Sequence, residues 1–359
     1  VTIINPMKCG MRSAECGIET FHSEFRIPNS EFDMMQILVI GLSNVGDGVL
    51  MSPVVHQAHQ AFPEAHLTLL VGERARAVFE GDPRIHRLVS YEEFDGLVGR
   101  WRLVRWLWRQ HPDVVVDLRQ TILPLLWRPW RASAYFWPIP RRIVHMQDRH
   151  LWRMKRQVPA MRHGQGTRDK GQATHDCNNG LLGLTNEEIA SVERVMKTWA
   201  IDGQAPLVVI SPGARSHIKR WYPERVAGVA DQLIEECRAV VVFTGEPDEA
   251  SFVIDILKTM RHRAHNAAGR LTLRQTAALM QRARMVLTND SAALHLACAV
   301  GAPVLALFGP TDPRKYGPTG PRDRVIHRRL VCAPCEQALC RFHHECMRFI
   351  SADEVYAAA

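Results

Sequence analysis

The stretch "ILVIGLSNVGDG", residues 37–48, runs four apolar residues into a glycine-punctuated turn holding one carboxylate, Asp47. An acid at the head of a helix, here expected to begin near Val49, carries its charge at neutral pH and can take a proton from a substrate hydroxyl. It can equally serve as a plain helix cap. Gly41, Gly46 and Gly48 lack the Gly-x-Gly-x-x-Gly spacing, and no Gly-Lys-Ser/Thr follows. Both common nucleotide signatures are therefore absent from this turn.

Three further stretches carry chemistry-bearing residues. In "SPGARSHIKRWYPERVAGVADQL" (211–233) a strand ends at Ser211, a turn with Gly213 follows, and Lys219 and Arg220 precede Pro223, which suits a first helical turn. Backbone N–H groups and a lysine there could neutralise a diphosphate, or form a plain basic turn. In "TNDSAALHLACAVGAPVLALFGPTDP" (288–313), Asp290 and Ser291 are expected to cap a helix of small residues, with Asp290 alternatively pairing with Lys219. His295, one turn along, is either a packed core histidine or a phosphate donor. Near the C-terminus Cys332, Cys335, Cys340 and Cys346 are spaced x2, x4 and x5. The four match a small structural metal knuckle, with free thiols as the other reading.

These residues need elements to position them. The apolar runs 36–42, 66–73, 87–92 and 113–119, and then 206–213, 239–246, 285–290 and 304–310, alternate with helix-length amphipathic sequence. That pattern predicts two α/β domains with parallel sheets, split between a 34–200 and a 201–359 half, with a boundary near 184–205. In such folds ligands bind beyond the carboxyl ends of the strands, where the turns above fall. Residues 148–170 hold seven Lys or Arg and read as an exposed basic loop. In "RWRLVRWLWRQ" (100–110) helical spacing predicts Arg102, Arg105 and Arg109 on one face and Leu103, Val104, Leu107 and Trp108 on the other. Core packing and an anionic membrane surface are its two readings.

The chain has 359 residues, 46% apolar and 23% charged, with a net charge of +8. This is a globular composition, and the charge favours acidic partners. No apolar run reaches membrane-spanning length. Residues 1–33 lack the layout of a secretory signal and any periodicity, so a cytoplasmic chain is expected and these residues are read as a disordered or non-native extension. In that compartment nine cysteines point to reduced thiols or metal ligands.

Taken together, residues 38–53, "KRWYPERVAGVADQL" with Tyr222 inserted, and "NDSAALHLACAVGAPVLALFGPTDP" resemble the heptosyltransferases of glycosyltransferase family 9, from about residue 36 to the C-terminus. The ending "CAPCEQALCRFHHEC" is similar to that of the heptosyltransferase II branch. The resemblance implies a GT-B fold, two Rossmann-like parallel-sheet domains facing a central cleft. It implies an inverting transferase that moves heptose, usually from ADP-heptose, to a lipopolysaccharide inner-core acceptor without a catalytic metal. It makes Asp47 the general base, Lys219 a contact to the donor diphosphate, and Asp290, Ser291 and His295 parts of the nucleotide-sugar pocket. Ser211 and Gly213 fall in the phosphate-side turn. Arg119 and the segment His145 to Arg153 become acceptor contacts.

Ala292 stands where the family commonly has Gly, which bears on the choice of donor. A related branch holds iron on a four-cysteine finger, so structural zinc or iron is compatible with the cysteines, with no cofactor needed for the chemistry. The partners implied are a nucleotide-sugar and an acidic glycolipid, with peripheral association at the cytoplasmic face of the inner membrane and no nucleic acid. Rival readings are a same-family enzyme with a UDP- or GDP-sugar, a nicotinamide-dependent oxidoreductase using Glu73, and a non-catalytic glycolipid-binding scaffold.

Overall fold

The computed structural model describes residues 34–126, 136–158 and 181–359. The expected N-terminal extension and residues 159–170 of the basic stretch lie outside them.

The first half opens with β1 (Gln36–Ile40), α1 (Val45–Ala61), β2 (His66–Val71), α2 (Glu73–Phe79), β3 (Arg87–Ser90), α3 (Gly96–Gln110) and β4 (Val114–Asp117). Its strands form a parallel sheet in the order β3-β2-β1-β4. In β1, Ile37 sits between Leu67 and Val114, and Ile40 between Leu70 and Asp117. Ile37 to Ile40 are almost wholly buried because helices cover both faces, which explains the uninterrupted apolar run. At Gly41 the chain leaves the sheet so close to Val71 and Met51 that a Cβ would meet the Val71 side chain at 2.8 Å.

After α4 (Met146–Gln157) and α5 (Asn186–Thr198) the second half runs β5 (Leu207–Ser211), α6 (Pro223–Cys237), β6 (Val240–Phe243), α7 (Ala250–Thr259), β7 (His265–Asn266), α8 (Leu273–Gln281), β8 (Met285–Asn289), α9 (Ala292–Ala299), β9 (Val304–Phe308), α10 (Pro313–Tyr316) and β10 (Arg324–His327). Two short helices, α11 (Glu345–Arg348) and α12 (Ala352–Ala358), close the chain. The six strands are parallel in the order β10-β9-β8-β5-β6-β7. Pro223 occupies the first turn of α6, as its fixed φ favours. Both sheets reverse their winding beside the first strand of the half, between β1 and β4 and between β5 and β8. Those are the switch points where an α/β sheet leaves room for a ligand.

Residues 34–359 form one compact unit. The buried Arg274 of α8 donates from Nη1 to the Val78 carbonyl, 2.9 Å away in the first half. Arg84 donates from Nη2 to the Leu181 carbonyl at 2.8 Å. The architecture is GT-B.

Three expectations need correction. Helix α1 begins at Val45, four residues earlier than expected. Residues 146–157 are helical, with His150, Leu151 and Met154 buried, because the apolar side chains at 151 and 154 supply an inward stripe that the surrounding arginines obscure. On α3, Trp108 is 55% exposed and shares the outer face with the arginines, while Leu107 is buried.

Candidate active site

Asp47 lies in the first turn of α1, beyond the carboxyl end of β1. It is not the helix cap. That position belongs to Asn44, whose side chain caps nothing and instead donates from Nδ2 to the Asp47 carboxylate at 3.1 Å. The Asn44 carbonyl oxygen in turn accepts from Arg215 Nη1 at 3.0 Å, an arginine of the turn after β5. One carboxylate of the first half is thus held through an amide by a cation of the second.

Residue 46 sits at the same junction. A Cβ on Gly46 would lie 3.2 Å from His295 Cδ2 and 3.7 Å from Ala292 Cα, so the N-terminal turns of α1 and α9 pack with no side chain between them. Two helix N-termini meet there, both favouring negative charge nearby. The halves also join at His145, whose Nε2 lies 3.0 Å from the Gly317 carbonyl oxygen and donates when it carries the proton.

Lys219, at the end of a single 3₁₀ turn, donates to Asp290 at 2.6 Å. Asp290 is buried and also accepts from the Thr311 hydroxyl, so the pairing with Lys219 holds and the capping role does not. Ser291 is the cap residue of α9 by position, but its side chain makes no capping bond and lies 3.3 Å from the Thr288 hydroxyl. Burial pushes His295 down to about 4 against the opposing pull of Asp290, so its ring is neutral at pH 7.

Ser211 is buried and shares a 2.5 Å hydrogen bond with Thr244, tying the ends of β5 and β6 together. A Cβ on Gly213 would run into the Glu249 carboxylate, which fills the space beside the turn. Burial raises Glu249 against the pull of the Glu246 amide and of Arg220, while the charges of Glu246 and Asp248 add to the rise.

Arg119 follows β4 and lies over the Tyr91 ring, 4.6 Å from its centre. Tyr91 donates to the Gly41 carbonyl at 3.1 Å, and burial pushes its hydroxyl up to about 12. Arg153 reaches from α4 to the Leu118 carbonyl at 2.9 Å and to Gln120 at 2.8 Å, fixing the loop that carries Arg119.

Asn44, Arg215, Thr311 and Glu249 were not singled out in the sequence. Asn44 and Arg215 sit inside the two quoted turns, but nothing local marks them, because their bond joins residues 171 positions apart.

Cys332, Cys335, Cys340 and Cys346 line a cavity of about 170 Å³ together with Ile218 and Pro310. All four are free thiols, and burial raises Cys346, with its three neighbours adding to the effect. Among the described residues no three His, Cys, Asp or Glu are gathered closely enough to hold a metal ion. In this arrangement the four thiols stand around one small cavity rather than around a single point. The cysteine segment instead braces the Gly309 to Asp312 turn, since the Pro310 carbonyl accepts from the Cys335 and Glu336 amides at 2.9 and 2.8 Å.

The family model described as Glycosyltransferase family 9 (heptosyltransferase) matches residues 180–345. The chain is 24% identical to a lipooligosaccharide heptosyltransferase 2 of Haemophilus influenzae, over 83% of this chain and 89% of that protein. A family 9 glycosyl transferase from Veillonella parvula superposes with a TM-score of 0.74 at 22% identity, covering 92% of this chain and 97% of the other. The E. coli ADP-heptose lps heptosyltransferase II gives 0.66 at 21% identity, over 90% and 97%. With its fold and these likenesses taken together, the chain is a glycosyltransferase whose residues 180–345 carry the match to glycosyltransferase family 9.

Proposed function

We propose that the protein is an inverting heptosyltransferase that moves a heptose from ADP-heptose to a hydroxyl of an acidic, lipopolysaccharide inner-core type acceptor. Asp47 acts as general base. Residues 34–200 hold mainly the acceptor and residues 201–359 mainly the donor. The observation that carries this reading is the junction of Asp47, Asn44 and Arg215, with Gly46 against His295, which sets a lone carboxylate beside the turns of the second half.

Displacing a nucleoside diphosphate builds positive charge on the sugar and negative charge on the departing phosphate. A base on one side and fixed donors on the other lower that barrier. Lys219 and the uncapped amides at the head of α9 are suited to receive the diphosphate, with Asp290 and Thr311 fixing the lysine. The neutral His295 ring can offer an N–H without adding charge, and Ser211 and Gly213 shape the backbone turn beside it. Arg119, with Arg153 behind its loop, is suited to an acidic acceptor.

Asp47→Asn should leave ADP binding and melting unchanged while transfer falls by about 10²- to 10⁴-fold. Mass spectrometry of truncated lipopolysaccharide cores incubated with ADP-heptose reads the heptose gain. Near-full turnover by the variant would overturn the base assignment. Ala292 favours a second reading with a different donor base or sugar. A larger rise in melting temperature with UDP or GDP than with ADP would select it.

A further inference from the structure

Helix α3 covers one face of the first sheet. Leu107 is buried and Leu103 and Trp106 pack on the cluster of Leu38, Ile40, Leu70, Val89 and Val115. Its outer face carries Leu97, Val98, Trp101 and Trp108, which are 78, 75, 77 and 55% exposed. Steps of four and seven residues place 97, 101 and 108 on one line of the helix. Arg105 and Arg109 run beside it at the same spacing, and Arg100, Arg102, Arg105 and Arg109 are all exposed. None of these four enters an ion pair among the described residues.

The nearby acids are engaged elsewhere. Glu92 accepts from the Ser90 hydroxyl and the Glu73 amide, Glu93 pairs with Arg76, and Asp95 caps Gly96. The face therefore presents two indoles and two aliphatic side chains among four uncompensated positive charges, on a chain of net charge +8. Indole rings with arginines around them match the headgroup level of a bilayer, where the ring spans apolar and wet layers and the guanidinium meets phosphate. A protein groove that accepted the tryptophans would also have to supply anions for every arginine.

We propose that α3 docks the protein on an anionic lipid bilayer, with Leu97, Trp101 and Trp108 at headgroup depth and Arg100, Arg102, Arg105 and Arg109 against lipid phosphates. No helix among the described residues is long and apolar enough to cross a membrane, so attachment is in the plane of the surface. This inference needs no assumption about donor or acceptor.

The test is co-sedimentation of the full chain with vesicles of phosphatidylethanolamine and phosphatidylglycerol, against vesicles of phosphatidylcholine. The protein should pellet with the anionic vesicles, be released by high salt, and stay in solution with phosphatidylcholine. The W101A/W108A double variant should bind at least about tenfold more weakly with an unchanged melting temperature. R105Q/R109Q removes charge without touching the packed face and should weaken binding to a similar degree. Failure to pellet with anionic vesicles, or equal binding by both variants, overturns the proposal. So does a wild-type dimer by light scattering that W101A/W108A turns into a monomer without vesicle binding, which would assign the face to a second copy. No sugar donor is present, so this outcome stands apart from that of the Asp47 experiment.

Discussion

The carboxylate at position 47 is set by a hydrogen bond chain that starts in the other half of the molecule. Arg215 holds the Asn44 oxygen, which leaves the Asn44 amide hydrogens facing Asp47. On the proposed assignment of Asp47 as general base, a side chain fixed this way needs no reorganisation when the acceptor hydroxyl arrives. Truncating Arg215 to Ala removes one hydrogen bond of about 1–1.5 kcal/mol, so kcat should fall about tenfold with the donor KM little changed. Asn44→Ala should do the same, and the double variant should add little, because both act on one chain. Steady-state kinetics of the three variants reads this directly. A rise in donor KM with kcat unchanged would move Arg215 into the donor pocket.

At the scale of the elements, the packing of α4 on α1 and β4 carries an acid-sensitive weakness. His150 is buried with both ring nitrogens unbonded, and the Ser52 hydroxyl on α1 is buried and unbonded as well. Burial pushes His150 down to about 3, with Arg153, Arg149 and His145 adding to it. The unfolded chain therefore binds the proton more readily between about pH 6.5 and pH 3. Stability is complete above pH 6.5 and is lost as the pH falls, by about 2–3 kcal/mol at pH 4.5 from this residue. His150→Leu should match or exceed the parent at pH 7 and lose less on going to pH 4.5 in denaturant titrations. Equal acid sensitivity in parent and variant would place the weakness elsewhere.

The same elements show what the residue pattern can and cannot convey. Strands β1 to β6, β8 and β9 were legible, apart from the two-residue β7, because burial on both faces leaves an unbroken β-branched run. The second short strand, β10, escaped because its burial is partial, with Arg324 and Val325 exposed. Helix α4 escapes the pattern because only two of its inward residues, Leu151 and Met154, are apolar, set among three arginines and Lys155. Trp108 was placed on the wrong face because an indole counts as apolar whichever way it points. The turns holding Asp47, Lys219 and Asp290 were legible from residue type. The bonds joining Asn44 to Arg215 and Gly46 to His295 were not, since sheet geometry alone brings those positions together.

Over the whole molecule, the halves are held away from the site as well as at it. Arg274 is buried and bonds Val78, Gly183 and Glu188 at once, spanning the first half, the connecting segment and α5. Glu188 stays well below the usual carboxylate range despite its burial because Arg274 and Thr185 hold it. Arg274→Met keeps the aliphatic stem and strands that carboxylate and two carbonyls. It should cost about 3–5 kcal/mol and, if the joint guides how the halves meet, also lower kcat. Thermal melts with turnover at a permissive temperature separate the two effects, and a melting point within a degree of the parent would deny the joint its structural part.

The bare contact of Gly46 on Ala292 and His295 ties two distant positions into a single allowance of space. A methyl group added at 46 would have to displace the imidazole, and a larger residue at 292 would press on the backbone that carries the carboxylate. The tight partner is the His295 ring, so under the proposed roles growth at 46 moves a donor-side imidazole and the turn that carries the Asp47 carboxylate together.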